Sequence, residues 1–525
     1  MANISVVKKT NSPSQVPLLT WIGVFASILG AFMAALDIQI TNASLQEIQL
    51  SLAVSSDEVS WISTSYLVAE IIVIPLSGWL SHVFTLRRYL LVNTALFIFF
   101  SVCCTWAWDL NSMILFRTLQ GLAGGVLIPS AMTIVLISLP SAKQPIGLAA
   151  FGISIVLAPS IATILGGWLT ENLSWHYNFY INLIPGALIF AGIWYGIYQQ
   201  KPQYHLLQQC DWLGIASMII GLGFLQVLLE EVTHQKNFSS QIIVRFSVVA
   251  IILVLFFAIE LKRKKPFINL RLLKERNFGL ASIINFYIGF SLYGSIYILP
   301  LYLTQIQNYN VLQIGQILIW AGIPQLFTIP LIPKITRYID ARFLVAFGIA
   351  LFSISTFMNA RFTYQTGYDQ LIWSQVVQGI GKPLIMAPLA SIATVGLPPK
   401  NADSSSSIFN VMLNLGSLIG VTAMASLFTT REQFHLYQLD NSMSLHNLET
   451  ESRINQLTQY FYNRGFDLST AQEQALKSIN NIVHREASIM AFNDCFYVIG
   501  IGLLVSCIAV LFFKKVKITG TSIGY

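Results

Sequence analysis

Four ionisable residues stand inside apolar segments long enough to cross a bilayer: Asp37, Glu70, Arg117 and Lys382. A charge at the centre of a membrane costs about 2.5–3.5 kcal/mol on insertion scales, so such residues usually mark an ion or substrate route. The chemistry open to them is the binding and release of protons or of a charged ligand. Burial raises a carboxylate's pKa and a nearby cation lowers it. A carboxylate that an arginine engages and releases is therefore a natural proton carrier. The competing reading for Asp37 and Arg117 is an ion pair that only staples two helices. For Glu70 it is solvation in a water-filled cavity. Lys382 either balances an acidic partner, binds an anionic ligand or merely tunes the field.

The elements that must position these residues follow from composition. Only 10% of the 525 residues are charged and 55% are hydrophobic, and mean hydropathy is +0.65. Soluble chains carry about 25% charged residues, so the deficit points to an all-α integral membrane protein. Taking about 20 apolar residues per crossing, roughly fourteen spans are expected, from 19–41 to 490–513. Basic residues cluster on alternate loops: Lys8 and Lys9, Arg87 and Arg88, a dense run from Lys262 to Arg276, and Lys514 to Lys517. This asymmetry places both termini in the cytoplasm. Asp37 and Arg117 then both fall in the outer third of their spans, at similar depth, with Glu70 near mid-membrane. A formal net charge of +7 fits cytoplasmic loops, and no basic and aromatic soluble face suggests nucleic acid. No metal spacing or disulfide framework is expected of Cys103, Cys104, Cys210, Cys495 and Cys507, which read as small apolar packers.

An internal repeat divides the chain. RTLQGLAGGVLIPSA from Arg117 aligns without gaps on QVVQGIGKPLIMAPL from Gln375, bringing Gln120 onto Gln378, Gly121 onto Gly379 and Gly124 onto Lys382. The charged loops SHVFTLRRYL from Ser81 and PKITRYIDARF from Pro333 recur in the same order. Two six-helix halves are expected at residues 1–200 and 277–525, with two extra central helices and a basic loop at 201–276. A long outer loop at 431–489 reads either as a solvated helical hairpin or as a docking surface for a periplasmic partner.

LDIQITNASL from Leu36, WISTSYLVAEIIVIPLSGWLS from Trp61, RTLQGLAGG from Arg117 and WLTENLSWHYNFYINLIPG from Trp168 together resemble the major facilitator superfamily, in particular its fourteen-helix drug:proton antiporter branch, the EmrB/QacA-type multidrug exporters. The resemblance runs over nearly the whole chain. It implies a proton-coupled antiporter exporting lipophilic or amphipathic molecules across the inner membrane, with Asp37, Glu70 and Arg117 coupling protons. It implies no cofactor beyond the proton gradient. Its partners would be a small-molecule substrate, the lipid bilayer, and a periplasmic membrane-fusion adaptor with an outer-membrane channel. Two departures bear on gating. The cytoplasmic loop from Gly78 to Arg87 and Arg88 lacks the usual Asp and has Thr85 in the usual Gly place; the fifth helix has Ala162 and Thr163 before Gly166 and Gly167, where a Gly-Pro pair is usual.

Substrate contacts are expected from Glu70, Lys382 and an aromatic stripe, Phe286, Phe290, Tyr293 and Tyr297, which falls on one helix face. Such a stripe either lines a pocket for flat or cationic molecules or packs against neighbouring helices. Gly121, Gly124, Gly125, Gly166 and Gly167 permit close helix approach. An exporter of an endogenous metabolite such as a siderophore is an alternative that Lys382 would suit. An integral-membrane acyltransferase-like enzyme is another. It would need paired catalytic residues, and the seven histidines fall at loops or helix ends with no such spacing.

Overall fold

The computed structural model describes residues 16–140, 143–199, 201–205, 212–234, 269–394, 402–442 and 448–515, with a few single positions between 245 and 254 and at 397. The second linker span, expected at 242–261, therefore lies mostly outside the described residues. Among the described residues the secondary structure is helical, α throughout except for a 3-10 turn at Leu270–Lys274.

The first half contributes α1 (Leu18–Ala43), α2 (Trp61–Phe84) and α3 (Leu86–Thr105). It continues with α4 (Leu110–Ser138), α5 (Gln144–Asn172) and α6 (Tyr177–Gly196). Next come α7 (Trp212–His234), α8 (Arg276–Gln305), α9 (Val311–Tyr338), α10 (Ala341–Asn359) and α11 (Tyr368–Thr394). The chain ends with α12 (Ala402–Ser442), α13 (Leu448–Tyr462) and α14 (Leu468–Val510). Among the described residues, 11 helices are long and apolar enough to cross a membrane. A twelfth, α5, is bent by 42° between Ile146–Pro159 and Ile164–Asn172. Pro159 explains the bend, since it lacks an N–H and its ring clashes with the preceding turn. Helices are the spanning solution here because every backbone N–H and C=O is satisfied within its own segment.

The helices pair in two sets with one pattern. In the first, α1 packs on α5, α2 on α4, and α3 on α4 and α6; in the second, α8 packs on α12, α9 on α11, and α10 on α11 and α14. Small residues set the close crossings. A Cβ on Gly121 would strike the backbone of Tyr66 on α2, and one on Gly379 would strike Ala321 on α9. The two glycines aligned by the repeat thus serve matching crossings in the two sets. The sets meet where α5 packs on α9 and α11, and where α2 and α4 pack on α12. Met132 and Asn410 touch across this seam. The α7 helix packs on both α2 and α12 and so bridges the sets.

The spans expected at 405–430 and 490–513 are longer in the structure. The α12 helix runs on to Ser442 and α14 starts at Leu468, so most of the segment 431–489 is helix, with α13 laid against α14. At 41 and 43 residues and about 1.5 Å per residue, both helices greatly exceed the roughly 30 Å hydrocarbon core. Asp494 ties them together by accepting from Arg431 Nε at 2.5 Å and pairing with His435 Nε2 at 2.7 Å. Ser488 Oγ also donates to Glu432 at 2.5 Å.

Candidate functional site

The α1 helix buries Asp37 and α4 buries Arg117, each with 0% exposure. Arg117 Nη1 lies 2.6 Å from Asp37 Oδ2. The expected pairing is therefore made, and two unanticipated amides complete it. Gln120 Nε2 donates to Asp37 Oδ1 at 3.1 Å, and Asn182 Nδ2 donates to the same oxygen at 2.6 Å. Gln120 Oε1 accepts from Arg117 Nη1 at 2.8 Å, closing the ring. Asn182 also reaches Ser101 Oγ at 3.0 Å, and Ser101 donates to the Phe179 carbonyl. The remaining face of the guanidinium sits over the Tyr66 ring, 4.4 Å from its centroid, with Phe179 at 5.6 Å. Charge-assisted hydrogen bonds of this kind offset the desolvation of a buried pair. In this conformation the Asp37 carboxylate is sealed and fully partnered, so a proton reaches it only if the ring opens.

Glu70 is different. It is 5% exposed, and no hydrogen bond or ion pair to it is present among the described residues. Gly125 makes its room: a Cβ there would meet Glu70 Cα at 2.9 Å and Cγ at 3.0 Å. Its charge acts on Arg117 and Asp37, and on Tyr293 across the seam.

Lys382 is 6% exposed. Its Nζ lies 5.9 Å from the Phe352 ring centroid, and among the described residues no carboxylate pairs with it. It opens onto a cavity of ≈ 60 Å³ between the two sets, which Gln39, Ile155 and Pro159 line from one side and Tyr293, Gln375, Gln378 and Asn359 from the other. The space suits water, not a drug-sized molecule, so the halves here are closed around the seam.

The aromatic stripe divides. Tyr293 lines the cavity, Phe290 stacks on Tyr287 with centroids 5.2 Å apart, Phe286 and Phe290 present backbone to Gly416 and Gly420 of α12, and Tyr297 is on the outside. Packing therefore accounts for most of the stripe. Among the expected gating residues, Arg87 covers the Trp194 ring at 4.9 Å and Arg88 is exposed. Gly78 accepts from Ser81 Oγ through its carbonyl. Gly166 and Gly167 are buried in the distal limb of bent α5. Thr85 joins α2 to α3 with φ +75°, a left-handed value that a β-branched residue seldom adopts. That is the conformation for which glycine is suited, in the place where the gating loop of the resembled family has one.

Gln39, Ser101, Gln120, Asn182 and Asn359 were not anticipated as site residues. The available signal was their polarity inside apolar spans, the same signal that singled out the charges.

Fold and site together define a polytopic membrane transporter with a polar seam between two helix sets. The Major Facilitator Superfamily profile matches residues 27–421, and the chain belongs to that superfamily. It is 33% identical to the colistin resistance protein EmrB of Acinetobacter baumannii, over 95% of this chain and 97% of that protein. It is 29% identical to the multidrug export protein EmrB of Escherichia coli K12, over 93% and 94%. The fold also matches the human organic anion transporter MFSD10, with a TM-score of 0.57 and 12% identity, over 93% of this chain and all of that one.

Proposed function

We propose that this protein is a proton-coupled exporter of lipophilic or amphipathic small molecules, working by alternating access in the inner membrane with both termini in the cytoplasm. The observation that carries the reading is the sealed ring of Asp37, Arg117, Gln120 and Asn182 beside the buried Glu70, which has no hydrogen-bond or ion-pair partner among the described residues. Glu70 is the group free to exchange a proton for substrate. Asp37 joins it when the ring opens and Arg117 lets go. Similarity to the EmrB exporters supports the substrate class. The proton gradient is the only energy source required, and the halves at 1–200 and 277–525 rock about the seam, with 201–276 as the connector. The helices α12, α13 and α14, which extend past the apolar spans, are a suitable seat for a periplasmic adaptor leading to an outer-membrane channel.

Everted membrane vesicles test the reading. Adding an amphipathic substrate to energised vesicles should release protons, and Asp37→Asn should abolish the release while the protein still inserts. Undiminished release from the variant would refute the role given to Asp37.

A further inference from the structure

We propose that Tyr66 is a positioning residue of the proton-coupling site: its aromatic face holds the Arg117 guanidinium when Asp37 takes up a proton, and so sets the pH at which that uptake occurs. The inference rests on the export reading above and adds a residue to its coupling step.

The placement follows from the crossing of α2 and α4. Ile62, Tyr66 and Glu70 are spaced by four on α2 and share one face; Arg117, Gly121 and Gly124 share the facing side of α4. Arg117 Nε donates to the Ile62 carbonyl at 3.4 Å. A Cβ on Gly121 would strike the Tyr66 carbonyl, and one on Gly124 would strike the Tyr66 hydroxyl and Phe97 of α3. The two glycines thus make a slot along α4 that a flat aromatic side chain fills. In that slot Tyr66 is 0% exposed, and its ring centroid lies 4.4 Å from Arg117 Cζ. The charged groups that act on it are Glu70 on its own helix, Asp37 on α1 and Arg117 on α4. From α3 the Cys104 thiol faces Gln120, and from α6 Phe179 faces the guanidinium.

The aromatic face matters differently in the two proton states. While Asp37 is ionised, its carboxylate answers the guanidinium charge across 2.6 Å. When a proton adds to that carboxylate the ion pair breaks, and Arg117 keeps its full charge in a dry place. Its Nη2 already lacks a partner among the described residues. A cation attracts a π face most strongly when little else neutralises or hydrates it. Tyr66 therefore stabilises the loaded state more than the empty one and eases protonation. For a desolvated cation on an aromatic face the effect corresponds to about tenfold in proton affinity, or about one pH unit. The Tyr66 hydroxyl is buried without a partner among the described residues, so the face and not the hydroxyl carries the role.

The test uses the purified full-length protein in lipid nanodiscs, titrated with pH and followed by infrared difference spectroscopy. The protonated-carboxyl band that Asp37→Asn removes reports Asp37. Tyr66→Phe keeps the aromatic face and drops the hydroxyl, and its midpoint should stay within about twofold of wild type in proton affinity. A trifluorinated phenylalanine at position 66 keeps the shape but drains the π face, and should lower the midpoint by about one pH unit. Tyr66→Leu, which removes the face, should lower it likewise; should Tyr66→Leu fail to fold, the fluorinated residue still fills the slot and carries the test. A midpoint that fluorination leaves unchanged or raises, an equal shift in Tyr66→Phe, or the absence of any Asp37-dependent band overturns the proposal. Proteoliposomes with an imposed pH gradient and ethidium as probe separate the two readings. Gradient-driven movement of ethidium with a midpoint indifferent to fluorination sinks the role of Tyr66 alone. A fluorination-dependent midpoint with no gradient-driven movement of ethidium supports the role of Tyr66 and counts against the export reading.

Discussion

Arg117 and Asp37, 80 positions apart in the chain, meet at 2.6 Å with neither side chain exposed. Breaking a buried pair by removing one charge typically costs about 3–5 kcal/mol, because the other charge is left uncompensated. Asp37→Asn should therefore lower unfolding stability by about that amount and stop proton-driven export. The double variant Asp37→Asn with Arg117→Gln leaves no orphaned charge and should regain most of the stability without regaining transport. Chemical unfolding in detergent and vesicle transport together decide the point. A double variant that transports normally would reduce the pair to a structural staple.

Glu70 offers the contrasting case. With no hydrogen bond or ion pair to lose among the described residues, Glu70→Gln should change stability by less than about 1 kcal/mol, since no partner is orphaned by it. Transport should nonetheless fall by an order of magnitude or more. A variant that exports at the wild-type rate would remove Glu70 from the coupling mechanism.

Thr85 holds a φ of +75° between α2 and α3, and its buried hydroxyl has no partner among the described residues. A non-glycine residue in a sparsely populated region stores about 1–3 kcal/mol. Thr85→Gly should relieve that strain and, after the added flexibility of the unfolded chain, raise stability by about 1 kcal/mol. A lower melting temperature for the glycine variant would show that the Thr85 side chain contributes more than its backbone costs.

Asp467 caps α14 outside the membrane, accepting from the Thr470 backbone N–H at 3.2 Å and from Ser469 Oγ. These hydrogen bonds, to the Ser469 side chain first, hold its carboxyl at about 2, below the ordinary 3.8. A folded value below the unfolded one means that the cap's contribution is complete above about pH 4 and is lost as pH falls towards 2. Hydrogen exchange at residues 468–474 should accelerate over that window, and Asp467→Ala should show the fast exchange already at neutral pH. Exchange insensitive to both changes would mean the first turn is held by other contacts.

Much of the architecture was readable in advance. The charged residues inside apolar spans pointed to Asp37, Glu70, Arg117 and Lys382, and the repeat paired Gly121 with Gly379 before their matching crossings were seen. The amide partners were not readable. Asn182 lies 145 residues from Asp37, and nothing local marks it out from other polar residues at a helix start. The spacing of Phe286, Phe290, Tyr293 and Tyr297 predicts one helix face. It is one face of α8, but α12 covers part of it and only Tyr293 reaches the cavity. The outer loop was bounded by where apolarity stops, whereas α12 and α14 continue beyond it, because helix propagation continues after hydrophobicity ends.

Hydropathy is a property of each segment by itself, and bilayer thickness is a fixed ruler, so the amino-acid order alone determined that this chain crosses a membrane many times, with four charges buried on the way. Which charge is answered and which is left open depends on the rotation and depth of helices packed from distant parts of the chain. Only the tertiary structure closed a ring around Asp37 and left Glu70 and Lys382 at the seam without a hydrogen-bond or ion-pair partner among the described residues.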